Sequence, residues 1–352
     1  MAAKRSILML LLAAIVMMVG TKIPLPGLDT AAAAARMSGG DGALSRLSIF
    51  ALGLMPLYNA LALVEIGRLF LARGAGRNRH SGPVETAIAG VLALGVTALQ
   101  GYGIVQALAA MGMLNGTSPM VGIATYMGAT AVTLFLCYHL RIAGFRNGFW
   151  ALWSVPALIG LPGQVSDAAA LMQTGAISAL PLLIFAIQLA LSVAAIVFMT
   201  RTWETVATHG SGEVGERRAA PREILIWPAV LASVVAGYLL TLLAVLAPAA
   251  VNGVDILILQ AIVLAVTCAL IPVFVAVYLR SIDLVSTPDR PFAPVVFVVV
   301  AVQVLLVVSG GVLSVWVGLP LGLGFSSLLA IGLTIEALLF AIPSARSATG
   351  RA

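Results

Sequence analysis

Long apolar runs, broken by glycine, proline and short basic stretches, make up nearly the whole chain. A membrane-spanning helix needs about 20 mostly apolar residues. Ten runs qualify as candidates: 6–20, 47–70, 84–112, 120–140, 148–162, 178–200, 223–247, 254–280, 292–314 and 323–343, the first and fifth of them short. Pro24, Pro162, Pro248, Pro291 and Pro320 mark several ends, because proline lacks the amide hydrogen that a continuing helix uses. Barrel strands would alternate apolar and polar residues at period two. These runs do not alternate, and a backbone in hydrocarbon must satisfy its own hydrogen bonds. The expected class is an all-α polytopic membrane protein with ten spans.

The basic residues test this count independently. With the N-terminus on the cytoplasmic side, every Lys and Arg of the 19 falls on that side except Lys22, Arg36 and Arg46. Arg217, Arg218 and Arg222 lie in the loop after the sixth run, and Arg280 and Arg290 flank the loop after the eighth. Positive charge is expected inside, and a miscounted helix would scramble the alternation. Both termini are then cytoplasmic. Composition agrees: 61% of residues are hydrophobic and 9% charged, against about 25% charged in soluble domains.

A net charge of +6 would point to a nucleic-acid partner in a soluble protein, but here the arginines are spread over short loops. Cys137 and Cys268, the only cysteines, lie inside apolar runs and read as free buried thiols. His80, His139 and His209 have no ligand spacing. Lys4–Arg5, the first apolar run and the alanines at 31–35 have the outline of a signal peptide, yet the charge alternation holds only if that run stays in the membrane.

The stretch Gly20–Pro56 is the most informative. Prolines and a glycine within Gly20-Thr-Lys-Ile-Pro-Leu-Pro-Gly-Leu-Asp29 forbid a continued helix. A weakly helical Ala31–Ala35 follows, and then a second break at Ser38–Gly42. The next run, Ala43 onward, carries Arg46 and reaches Pro56 in mid-span. One reading is an ordinary outer loop leading into a proline-kinked helix. The other is a short helix folded back into a cavity, since non-helical backbone at membrane depth needs protein or water around it. An arginine facing lipid costs at least ~2.5–3.5 kcal/mol. Physical arguments alone leave the two readings open.

Gly20–Asp29 with Gly42-Ala-Leu-Ser-Arg46 and Ser48-Ile-Phe-Ala-Leu-Gly-Leu-Met-Pro56 resembles the SecY family, the central channel subunit of the bacterial Sec translocon. Fainter echoes follow in order: Gln100-Gly-Tyr-Gly-Ile104, Gly144-Phe-Arg-Asn-Gly148, Gly160-Leu-Pro162, Pro228-Ala-Val-Leu-Ala-Ser233 and Gly324-Phe-Ser-Ser-Leu-Leu329. The departures are Cys137-Tyr-His-Leu-Arg-Ile142 where the family has a glutamate-rich end, and two shortened cytoplasmic loops, Arg201–Arg222 and about Ser281–Pro291. In the family those loops dock the ribosome and the SecA motor.

The resemblance implies ten helices in two pseudo-symmetric halves of five, about 1–165 and 166–352, with a re-entrant plug near 31–44. It implies a pore ring of Leu54, Tyr58, Phe149, Trp153, Val230, Val234 and Ala330. The first three pairs are i,i+4, so each lies on one helix face. It further implies a plug hinge at Gly40, Gly42 and Arg46, and a lateral gate with Asn59 and Gln100 facing each other across a seam. Cytoplasmic docking would use Arg217, Arg218, Arg222, Arg280 and Arg290. Partners would be SecE-like and possibly SecG-like subunits, a SecA-type motor or ribosome, substrate polypeptides and lipid, in a bacterial inner membrane.

Glu65 and Glu336 match no family site. Glu65 has Arg68 at i+3, a pairing distance on a helix, near the cytoplasmic interface. No nucleophile–base pair, metal cluster or phosphate loop is present; Gly74-Ala-Gly76 lacks the P-loop lysine. Neither catalysis nor a cofactor is expected. The alternatives are a specialised or non-conducting SecY paralogue acting as a scaffold, and a small-solute secondary transporter. The transporter would need a polar midplane site, and the midplane here is nearly free of charge.

Overall fold

The computed structural model describes residues 2–36, 46–71, 83–114, 118–140, 142, 145, 147–175, 178–208, 222–251, 253–281, 292–312 and 324–349. Within them the regular structure is helical: α1 Ala2–Gly20, α2 Thr30–Arg36, α3 Met55–Leu71, α4 Pro83–Ala110, α5 Pro119–His139, α6 Phe149–Gln173, α7 Ala179–Thr208, α8 Trp227–Leu246, the four-residue α9 Pro248–Val251, α10 Ile256–Ser281, α11 Phe292–Val312 and α12 Phe325–Thr349. A 3-10 turn at Arg222–Leu225 precedes α8. Two isolated antiparallel bridges join Pro24 to Ser48 and Leu28 to Leu114.

Among the described residues, seven helices, α4 to α8 with α10 and α11, are long and apolar enough to cross a membrane, and α1 and α12 contain shorter apolar stretches. Leu99, Val91, Phe297, Val245 and Leu246 are among many large apolar side chains that stand fully outward. Water would penalise such a surface and hydrocarbon does not. The chain is a polytopic helical membrane protein.

The helices pack in sequence-local groups. α4 lies against α5 and α3, α10 against α8 and α11, and α7 against α11 and α12. Polar side chains fasten these pairs inside the apolar core. Thr97 Oγ1 donates to the Ala93 carbonyl at 2.7 Å, so Thr130 is the donor in the 2.9 Å bond between the two hydroxyls. Gln188 Nε2 donates to Ser309 Oγ at 3.3 Å, joining α7 to α11. Gln303, fully buried, donates from Nε2 to the Leu225 carbonyl at 2.9 Å and anchors the 3-10 turn on α11. Two seams join the first six helices to the rest. One is broad, with α6 and α1 on α12; the other is narrower, with α3 on α8 and α10.

Three expectations need correction. The run 47–70 is not one span: residues 46–54 form turns and a bridge, and the helix starts only at Met55. Pro56 therefore sits in the first turn, where its missing amide costs nothing, rather than in mid-span. Pro162 does not end the fifth span. α6 continues through Pro156 and Pro162 to Gln173, because neighbouring helices can satisfy the carbonyls that a proline leaves open. Pro320 falls outside the described residues.

Candidate functional site

The segment between α1 and α3 is built by close backbone contact. A methyl at Gly20 would meet the Phe50 ring at 2.2 Å, so glycine at the end of α1 lets that ring lie close against the helix backbone. Beyond it the chain pairs with its own return: Leu25 N donates to the Leu47 carbonyl and Ile49 N to the Ile23 carbonyl, both at 3.0 Å. Gly53 turns the backbone with φ +53°, a conformation open mainly to glycine. The Leu54 carbonyl then accepts from Tyr58 N at 2.9 Å. Leu54 is thus the cap residue of α3, and the i,i+4 relation to Tyr58 holds although Leu54 lies just outside the helix.

The weakly helical piece expected at 31–35 is α2. Asp29 caps it, accepting from Ala32 N at 2.9 Å through Oδ1, as short polar side chains do at helix starts. Asp29 N donates to the Met113 carbonyl at 2.8 Å, tying the start of α2 to the end of α4. Ala33 is buried with Leu25, Leu47, Leu108, Met113 and Tyr126 in a small second core. Arg46 is exposed. Gly40 and Gly42, with the rest of the expected plug beyond residue 36, lie outside the described residues.

The seven expected ring residues all belong to the main apolar core. Leu54, Phe149, Val230 and Ala330 are buried, and Tyr58, Trp153 and Val234 are half-buried. Ring contacts join α3 to α6 directly. Tyr58 stacks on Trp153 with centroids 4.9 Å apart and lies 6.4 Å from Phe149, and Phe149 is 5.7 Å from Trp153. Trp153 Nε1 is buried without a hydrogen-bond partner. The Tyr58 side chain also interacts with Ser233 of α8. The stacked rings carry no charge, and Leu54, Val230, Val234 and Ala330 in the same core are aliphatic.

Asn59 is half-buried on α3 and Gln100 on α4. Gln100 Oε1 is buried without a hydrogen-bond partner, so that atom makes no bond to Asn59. Arg280 is exposed at the end of α10. Arg222 begins the 3-10 turn, and Arg217, Arg218 and Arg290 lie outside the described residues. Glu65 forms the expected ion pair with Arg68.

Several contributors escaped the sequence reading. Trp150 packs edge-on against both Phe149 and Trp227, at 5.0 and 5.1 Å, extending the aromatic contact from α6 to the start of α8. The dense run Phe149-Trp150-Ala-Leu-Trp153 is visible in the sequence, but its partner Trp227 is not. Tyr278 of α10 donates to Glu65 Oε1 across 213 positions of sequence, a pairing that no local pattern announces. Among the described residues, no group of three or more His, Cys, Asp or Glu side chains forms a metal-binding cluster.

No family model matches the chain. Curated proteins do. Protein translocase subunit SecY of Escherichia coli strain K12 is 28% identical over 52% of this chain and 46% of its own length. Protein translocase subunit SecY of Buchnera aphidicola subsp. Acyrthosiphon kondoi is 28% identical over 52% of this chain and 58% of its own. The match thus spans about half the length of the curated relatives. The chain is SecY-like.

Proposed function

We propose that this chain is the channel subunit of a protein translocon in a bacterial inner membrane. It passes polypeptide through its centre and releases apolar segments sideways between α3/α4 and α8/α10. Ten helices span the bilayer, in halves of about 1–165 and 166–352, with both termini cytoplasmic. The observation that carries this reading is the segment Gly20–Pro56. Its stretches Gly20–Asp29 and Gly42–Pro56 resemble the SecY pattern, its turns open onto α3 at Leu54, and α3 meets α6 in a charge-free aromatic contact. Leu54, Tyr58, Phe149, Trp153, Val230, Val234 and Ala330 form the constriction, α2 belongs to the plug, and Asn59 and Gln100 line the gate. The arginines of the cytoplasmic loops dock a motor or ribosome, and SecE-like and SecG-like subunits complete the assembly. The chain itself carries out no chemistry.

The test is crosslinking of a stalled secretory chain in membranes carrying Leu54→Cys or Val230→Cys. Adducts at both positions are expected, and their absence at both would sink the channel reading. One observation favours a second reading, a non-conducting scaffold: the stacked Tyr58 and Trp153 fill the waist with large rings. A preserved SecE-type contact without adducts would select it.

A further inference from the structure

The two seams between the first six helices and the rest differ in kind. On one side α6 and α1 lie along α12 in broad contact; on the other α3 meets α8 and α10 more sparingly. Sparse packing in a membrane holds helices together only weakly, because lipid replaces lost side-chain contacts at little cost. A polar bond across such a seam therefore counts for more. Roughly two turns along α3 from Tyr58 lies Glu65, 5% exposed and paired with Arg68 of its own helix. From α10 the hydroxyl of Tyr278, 1% exposed, donates to the same carboxylate. The Arg68 guanidinium lies over the Tyr278 ring at 5.8 Å, within cation–π range.

We propose that Glu65, Arg68 and Tyr278 form a reversible latch that holds the α3–α10 seam shut, a regulatory device resting on the lateral-gate reading given above. The chemistry suits a bond made to break. A buried carboxylate with no partner is prohibitively costly, so a latch built from a bare charge pair across the seam would scarcely open. Here the charge pair stays within α3. When α10 withdraws, Glu65 keeps Arg68, while a neutral hydroxyl and a ring leave. The contacts that break include one charge-assisted hydrogen bond and one cation–π contact, both modest. Tyr278 stands two residues before Arg280, at the base of the loop expected to dock a cytoplasmic partner.

The test measures the seam itself. Nitroxide labels are placed at Leu63→Cys on α3 and Val273→Cys on α10, both exposed, with Cys137→Ala and Cys268→Ala. The full chain is extracted with its surrounding membrane into lipid nanodiscs, and pulsed dipolar spectroscopy gives the distance distribution. Tyr278→Phe keeps the ring under Arg68 and removes only the hydroxyl. It is expected to raise the ratio of long to short distances by about tenfold. Tyr278→Ala removes both contacts and is expected to raise it further. Unchanged distributions in both variants would overturn the latch. The stalled-chain adducts at Leu54→Cys and Val230→Cys keep the two ideas apart. Adducts with unmoved distances refute the latch and leave the channel standing. Shifted distances without adducts support the latch and refute the channel.

Discussion

Glycine positions carry the most direct physical constraints in this molecule. At Gly148 a methyl group would lie 2.5 Å from Leu140 Cβ and 2.6 Å from its carbonyl oxygen, where the chain turns from α5 into α6 and Gly148 N donates to the Cys137 carbonyl at 2.9 Å. Backbone on the far side cannot move aside as a side chain can. Gly148→Ala is expected to lower stability by about 1–3 kcal/mol, read as an earlier unfolding transition in detergent, with Gly148→Val worse. The aromatic contact between α3 and α6 gives the second prediction at this scale. Trp153→Ala removes the ring on which Tyr58 stacks and is expected to raise ion leak through the chain in planar bilayers; an unchanged leak would mean that the rings do not form the seal. The resemblance implied that Tyr58, Phe149 and Trp153 lie near one another, and their ring contacts are observed. Trp227, Ser233 and Tyr278 were not visible, because each acts through a partner on a different helix. Glu65 and Arg68, three residues apart on one helix, were.

The position of every long helix could be read from its apolar run, but some ends could not. Proline reads as a terminator in sequence, and it fails as one at Pro162, where α6 runs on to Gln173. The rule reflects a lost hydrogen bond and a clash, and a membrane protein can meet both by adjusting neighbouring groups. At Pro56 the error ran the other way: the apolar run began before the helix did, because turns in this segment are as apolar as the span. The short α2 depends on its cap. Asp29→Ala is expected to destabilise it by about 0.5–2 kcal/mol, seen as faster amide hydrogen exchange at residues 31–33 with the long helices unchanged.

Pairing between helices was the least legible feature. These helices are apolar on most sides, so no stripe tells the core face from the lipid face, and the contacts of α6 and α1 with α12 have no signature in the chain. Charge placement bears on the expected number and direction of the runs and says nothing about their neighbours. The unequal seams lead to a prediction for the assembly. Joining α3 to α8 through Tyr58→Cys and Ser233→Cys with a short bis-maleimide that has a reducible disulfide in its spacer is expected to stop sideways release of an apolar segment, measured by lipid crosslinking of a stalled client, and cleavage of the spacer is expected to restore it. Continued release with the spacer intact would exclude the α3–α8 side as the exit.

The pairing of residues 23–25 with 47–49 has a mechanical consequence. The bonds Leu25 N to the Leu47 carbonyl and Ile49 N to the Ile23 carbonyl tie the end of α1 straight to the approach to α3, so those two helices are coupled by backbone bonds as well as by the chain that runs between them, and a displacement of one is felt by the other without passing through α2.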